Sequence, residues 1–98
     1  MGEEQFDCAA LSLKALSHPL RLKILCTLGS GTLSVRDLAD SVGSSQSNVS
    51  HHLSTLRDKG MLVSNKKAKN VYYQLRDTRM IGMIEMMHTL FCGQPPKY

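Results

Sequence analysis

The stretch SSQSNVSHHLSTLRDK, from Ser44 to Lys59, constrains the rest of the chain most. Its Ser-Ser pair offers a helix N-cap, Gly60 offers a stop, and Val49, Leu53 and Leu56 recur at the spacing of one helical face. The other positions carry short polar side chains. A helix that only faces water would favour Glu, Lys and Gln there, because Ser, Thr and Asn compete for backbone hydrogen bonds and are poorer helix formers. Compact donor-acceptor groups on an outer helical face do fit the base edges and phosphates of a major groove. The stretch is therefore read as a recognition helix over about 45–59, with Ser45, Gln46, Ser47, Asn48, Ser50, His51 and Thr55 as candidate DNA contacts. His52, beside Leu53 on the inner side, is read either as a further contact or as a structural, hydrogen-bonding histidine.

Upstream, Glu3 to Leu16 is expected to form a helix with Phe6, Ala9, Ala10, Leu13 and Leu16 on one face. Ser17-His18-Pro19 breaks it, and proline suits the first position of a second helix, Pro19 to Leu28, which buries Leu20, Ile24, Leu25 and Leu28 before Gly29-Ser30-Gly31. Thr32-Leu33 leaves room for only a scrap of strand. Ser34 to Val42 reads as a third helix, capped by Ser34 with Asp37 three residues on, its inner face Val35, Leu38, Ala39 and Val42. Two short helices joined at Gly43, the second with a small polar outer face, make a helix-turn-helix pattern.

Downstream of Gly60 the period becomes two. Met61-Leu62-Val63-Ser64 and Val71-Tyr72-Tyr73-Gln74-Leu75 are expected to pair as a hairpin, a wing over about 61–75, with residues 65–70 as its polar tip. Lys66, Lys67 and Lys69 there are candidate phosphate or minor-groove contacts. Asp77 is placed as the cap of a last helix over about 77–92. Met80, Met83, Ile84, Met87 and Phe91 form one stripe of it, and Ile81, Glu85, His88 and Cys92 a neighbouring one. Residues 93–98, with Pro95-Pro96, are expected to be a mobile tail. The predicted class is mainly α with a small β-hairpin wing (α+β): helix, helix, helix, helix, hairpin, helix.

At 98 residues this is one small domain, expected to draw stability from a partner subunit. Its formal charge of +4 is uneven: Arg57, Lys59, Lys66, Lys67, Lys69 and Arg76 cluster after the recognition helix with Asp58 as the one acid among them. No apolar run approaches the roughly 20 residues of a membrane span, and the start MGEEQFD is acidic, so a cytoplasmic protein without a membrane partner is expected. Three cysteines without a secretory signal do not suggest a disulfide framework. No motif joins His18, Asp37 and Cys8, and the sequence holds no phosphate loop, metal-ligand quartet or nucleophile elbow. An enzyme is not expected, nor a cofactor.

The segments LSHPLRLKIL (Leu16 to Leu25), SQSNVSHHLSTLRDKGMLVS (Ser45 to Ser64) and VYYQL (Val71 to Leu75), with this order of elements, resemble the ArsR/SmtB family of winged helix-turn-helix repressors. The resemblance spans about Leu13 to Cys92. It implies a homodimer built from the first and last helices (about 4–16 and 77–92), a palindromic double-stranded DNA operator, and release when an inducer is sensed. Arsenic and cadmium sensors of the family carry Cys-x-Cys where this chain has Ser34 and Arg36. Zinc sensors use Asp-x-His and a later ligand pair; Asp77 matches, but Arg79 stands for the histidine, and Leu90 and Gly93 for the later ligands. No metal site is expected from these positions.

Cys26 and Cys92 resemble instead the cysteine pair of the HlyU/BigR/SqrR branch, which senses reactive sulfur or oxidants, and Cys8 resembles an accessory thiol of some members. The resemblance thus implies a redox-sensing dithiol, Cys26 and Cys92, whose inducer is a persulfide, a polysulfide or an oxidant. His88, a turn before Cys92, would favour its thiolate, whereas Glu85 and the helix C-terminus would oppose it. Met80, Met83, Met86 and Met87 read as an adaptable dimer interface rather than a copper site. Two alternatives stay open: a metalloregulator holding arsenite or a soft metal through Cys8, Cys26 and Cys92, and a DNA-organising protein with no inducer.

Overall fold

A computed structural model describes residues 1–93 of the chain. In order it has α1 (Glu3–Leu16), α2 (Pro19–Leu28), β1 (Leu33–Ser34), α3 (Val35–Val42), α4 (Gln46–Asp58), β2 (Leu62–Lys67), β3 (Asn70–Leu75) and α5 (Arg79–Met87), which continues as one π-helical turn, His88–Cys92. The strands form one antiparallel sheet in the order β1-β3-β2. This is a winged helix-turn-helix, as expected.

Each boundary has a local chemical cause. The Gln5 carboxamide oxygen accepts from the Gly2 N–H at 2.8 Å, and Glu3 and Glu4 lie at the positive end of α1. His18 is extended before Pro19, as steric conflict with a following proline demands, and its Nδ1 accepts from the Leu20 N–H at 3.2 Å. Ser34 and Ser45 cap α3 and α4, each hydroxyl accepting a backbone N–H at 3.1 Å, from Asp37 and Asn48. Gly43 ends α3 with φ of 70°, a left-handed conformation that a Cβ would strain, and so sets the turn into α4.

The core lies where α2, α3 and α4 meet the inner face of the sheet. Ile24, Leu25, Leu38, Val49, Leu53 and Leu56 are fully enclosed, and Tyr73 and Leu75 of β3 close the sheet side. The inner face read from the sequence for α4 is therefore correct at all three positions. Leu20 and Val35, also expected inside, are only half-buried against this cluster.

Three expectations need correction. Of the α1 stripe only Leu16 is buried, together with Ala15; Phe6, Ala9, Ala10 and Leu13 are exposed in the single chain, because among the described residues no element packs closely on that side. In α5 the inner edge is Met80, Ile81 and Ile84, while Met83, Met87 and Phe91 of the expected stripe are exposed. The wing tip is shorter than the sequence suggested. The ladder runs on to Lys67↔Asn70, leaving Ala68-Lys69 as the turn, with Ala68 at φ of 54°. Lys66 and Lys67 thus belong to β2, and pairing of polar residues extends the strand where β propensity alone gives no signal. Asp77 stands just before α5 and accepts the Arg79 N–H at 3.0 Å. The expected tail lies outside the described residues except for Gly93.

Candidate nucleic-acid interface and thiol site

The outer face of α4 is polar and accessible. Gln46, Ser47, Asn48 and His51 are exposed, and Ser50 and Thr55 are half-buried. Several of these groups already have local work. The Ser45 hydroxyl caps the helix, the Asn48 Nδ2 donates to the Ser44 hydroxyl at 3.0 Å, and the Thr55 hydroxyl donates to the His51 carbonyl at 3.3 Å. Of the candidate contacts, Gln46, Ser47, Ser50 and His51 have no side-chain hydrogen bond among the described residues. Lys66, Lys67 and Lys69 are exposed on the wing.

Beneath this face His52 is buried, and its role is structural. Its Nδ1 accepts from the Arg21 Nε at 3.0 Å, and its ring lies 4.4 Å from that of His18 and 5.5 Å from that of His51. Arg21 also donates through Nη1 to the Ala15 carbonyl at 3.0 Å, so one side chain ties the end of α1 and the start of α2 to the middle of α4. Desolvation first, then the charges of His18, Arg21 and His51, lower the His52 pKa from its ordinary 6.5. Sequence reasoning did not select Arg21. A histidine on an apolar helical face needs a donor or acceptor inside, which was the signal available.

The three cysteines are exposed free thiols. Cys26 is thus not the small buried hydrophobe that its apolar neighbours in KILCTL would suggest. It lies on α2, which packs against α5; desolvation, and then the negative charge of Glu85 on α5, push its thiol up. Glu85, expected beside Cys92, thus acts on the other member of the pair. Cys92 and His88 lie at the edge of an apolar cavity of about 480 Å³, walled by Leu13 and Leu16 of α1, Leu22 of α2, and Ile84, Met87 and Phe91. Leu22, which lines this cavity, precedes Cys26 by one helical turn; Cys26 itself is not among the lining residues. Cys8 lies in a different groove, with Asp7, Leu11, Asp58 and Lys59, between α1 and the end of α4.

At the start of α5 the Asp77 carboxylate is occupied by Arg79, which donates from Nε at 3.0 Å and Nη2 at 2.6 Å. The side-chain hydrogen bond from Arg79 holds this carboxyl down to about 2. A carboxylate clamped by its own guanidinium is a poor cation ligand. Among the described residues no group of three His, Cys, Asp or Glu side chains is arranged to hold a metal ion within one chain.

A helix-turn-helix presenting a polar outer face, followed by a basic hairpin, defines the winged class of DNA-binding domains. Residues 18–64 match the family described as bacterial regulatory protein, arsR family. The biofilm growth-associated repressor of Xylella fastidiosa is 34% identical over 92 residues, covering 94% of this chain and 81% of that protein. The transcriptional activator HlyU of Vibrio cholerae is 42% identical over 84 residues, covering 86% and 78%. The structure of reduced HlyU from Vibrio cholerae superposes with a TM-score of 0.79 at 40% identity, covering 92% of this chain and 95% of that one. The repressor BigR from Xylella fastidiosa gives 0.75 at 33% identity, covering 96% and 100%. The chain belongs to the ArsR/SmtB family, in its HlyU/BigR branch, a family of DNA-binding transcription regulators and not of enzymes. Among the described residues no helix is long and apolar enough to cross a membrane.

Proposed function

We propose that this regulator is a cytoplasmic homodimeric repressor that releases a palindromic operator when Cys26 and Cys92 become linked. In this reading Gln46, Ser47, Ser50 and His51 reach bases and phosphates, Ser45, Asn48 and Thr55 shape the helix that presents them, and Lys66, Lys67 and Lys69 contact the backbone. The observation that carries the regulatory part is the placement of the two thiols. Both are accessible: Cys26 is on α2, near enough to α5 for the Glu85 charge to act on it, and Cys92 is on the turn that extends α5, lining one cavity with Leu22 of α2.

An oxidant takes two electrons from the pair and leaves a disulfide; of two persulfides, the first transfers its outer sulfur to one thiol and the second accepts two electrons as the bridge closes, leaving a trisulfide, two thiols and hydrogen sulfide. Either tether restrains α2 against α5. Because Arg21 ties α2 to α4 through His52, a shift of α2 is passed to the helix that faces DNA. Two dimer-related recognition helices must lie about 34 Å apart, or a multiple of that turn, to share one operator, so a small shift weakens both contacts together.

Reduced protein treated with a persulfide should yield a cross-linked Cys26–Cys92 peptide and lose operator binding in the same titration. Normal release by a Cys26→Ser variant would sink the proposal. The metalloregulator alternative has less support, since Cys8 lines a groove apart from the other two thiols within one chain.

A further inference from the structure

Among the described residues His52 is the one buried polar side chain, and it sits where the recognition helix meets the start of α2. Arg21 of α2 reaches it through Nε and holds the Ala15 carbonyl of α1 through Nη1. The ring of His18, the cap of α2, lies 4.4 Å away, and that of His51, its neighbour on α4, 5.5 Å away. The charges that act on His52 are those of His18, Arg21 and His51, all bases with no carboxylate among them. A second brace from α2 runs to α3, where the Lys23 Nζ donates to the Val42 carbonyl at 3.2 Å. The helix-turn-helix is thus held to α2 at two points, and the point beneath α4 is the one built on groups that titrate near neutrality.

In the neutral imidazole Nδ1 is a bare acceptor, and the Arg21 Nε–H donates to it at 3.0 Å. A proton on Nδ1 sets two donors face to face and puts a second cation beside the guanidinium. The bond is lost. The new imidazolium, on a side chain only 6% exposed, regains water only if the middle of α4 moves off α2. That same turn of α4 presents Ser50 and His51 to DNA, so its displacement is felt at the reading face.

We propose that Arg21 and His52 are positioning residues for the recognition helix, and that operator discrimination is linked to one proton: α4 reads bases only while His52 is neutral. The proposal rests on α4 being the helix that reads DNA and is independent of the dithiol. Attraction to phosphates behaves in the opposite way, since it follows charge, and a proton on the exposed His51 adds to it. Acidification therefore weakens binding to the operator while sustaining binding to any other duplex. By linkage the operator must in turn favour the neutral form of His52. Phosphates alone would push a nearby imidazole toward its charged form, so the sign of the shift separates positioning from mere proximity to DNA.

A duplex selected by the reduced, full-length protein from a random pool, and a scrambled duplex of equal length, are titrated by fluorescence anisotropy between about pH 8 and 5 at fixed salt. Circular dichroism at each pH confirms that the protein is folded. The ratio of selected to scrambled affinity should fall on acidification by on the order of tenfold, within the roughly 5–150-fold of allosteric couplings. His52→Asn keeps an acceptor for Arg21 and takes up no proton, so its ratio should not change with pH. His18→Asn and His51→Asn should retain the fall. Nuclear magnetic resonance of the parent gives a readout independent of any variant: the His52 imidazole should titrate at lower pH on the selected duplex than on the scrambled one or in the free protein. A ratio that stays flat, a fall that disappears with His18→Asn or His51→Asn instead of His52→Asn, a fall that coincides with loss of the helical signal, or a His52 that titrates at higher pH on the selected duplex overturns the proposal and leaves α4 as the reading helix. A Gln46→Ala, Ser47→Ala double variant that discriminates as well as the parent at pH 8 removes α4 from base reading, and this proposal with it.

Discussion

Arg21 holds three helices with one side chain, and its two hydrogen bonds, to the Ala15 carbonyl and to His52, are both 3.0 Å long. Removing the guanidinium leaves a buried imidazole without its donor, which costs about 1–3 kcal/mol. Arg21→Ala should therefore lower the free energy of unfolding by that amount, seen as a lower urea midpoint at unchanged slope; a variant as stable as the parent would show that the joint contributes nothing. The same joint responds to protons. Nδ1 of His52 accepts from Arg21 only while it carries no proton, and the folded-state pKa lies below the ordinary 6.5. The unfolded chain then binds the proton more readily, so this part of the stability is present above about 6.5 and is lost as pH falls from there through the folded-state value. His52→Asn keeps an acceptor for Arg21 but does not titrate. It should flatten the decline in stability between pH 7 and 5.5, and an equally steep decline would place the proton elsewhere.

Along α4, two serines of the same face do different things. Ser45 caps the helix, so Ser45→Ala should cost about 1 kcal/mol of stability. Ser47 is exposed, so Ser47→Ala should stay within about 0.5 kcal/mol of the parent in unfolding free energy from urea titration yet weaken operator binding measured by fluorescence anisotropy. Loss of affinity without loss of stability at Ser45, or the reverse at Ser47, would contradict this division. The sequence carried the capping half of it, because a Ser before an apolar-periodic run specifies a helix start through a local bond. It also carried the fold class and the buried face of α4, since Val49, Leu53 and Leu56 are set by periodicity and enclosed by nearby elements. It did not tell which apolar stripes of α1 and α5 are covered within the chain. Periodicity records that a face is apolar, and only the tertiary arrangement says what lies against it. The Arg21–His52 bond and the cavity at Cys92 were hidden for the same reason: each joins residues distant in sequence, and neither leaves a local pattern.

For the whole molecule, the exposed apolar side chains are the feature that most needs a partner. Phe6, Leu11 and Leu13 on α1 and Met83, Met86, Met87, Leu90 and Phe91 on α5 and the turn that extends it are exposed in the single chain, while the enclosed core is formed by α2, α3, α4 and the sheet together with the end of α1. Monomeric proteins seldom leave so much contiguous apolar surface in water, and two copies joined through α1 and α5 would cover it. On DNA, a dimer turns the second half-site contact into an intramolecular one, a gain of roughly 10²–10⁴ in affinity that a monomer lacks. Met86 and Leu90 are the cleanest positions at which to separate assembly from folding, being 57% and 65% exposed and outside the core cluster. Met86→Glu combined with Leu90→Glu places like charges across the expected symmetry axis while leaving the helix-turn-helix and wing intact. Sedimentation should show a monomer with a melting temperature close to that of the dissociated parent. Operator affinity should fall by about 100-fold or more, while binding to a single half-site changes little. A double variant that stays dimeric, or that binds the full operator as tightly as the parent, would place the subunit interface away from this edge of α5.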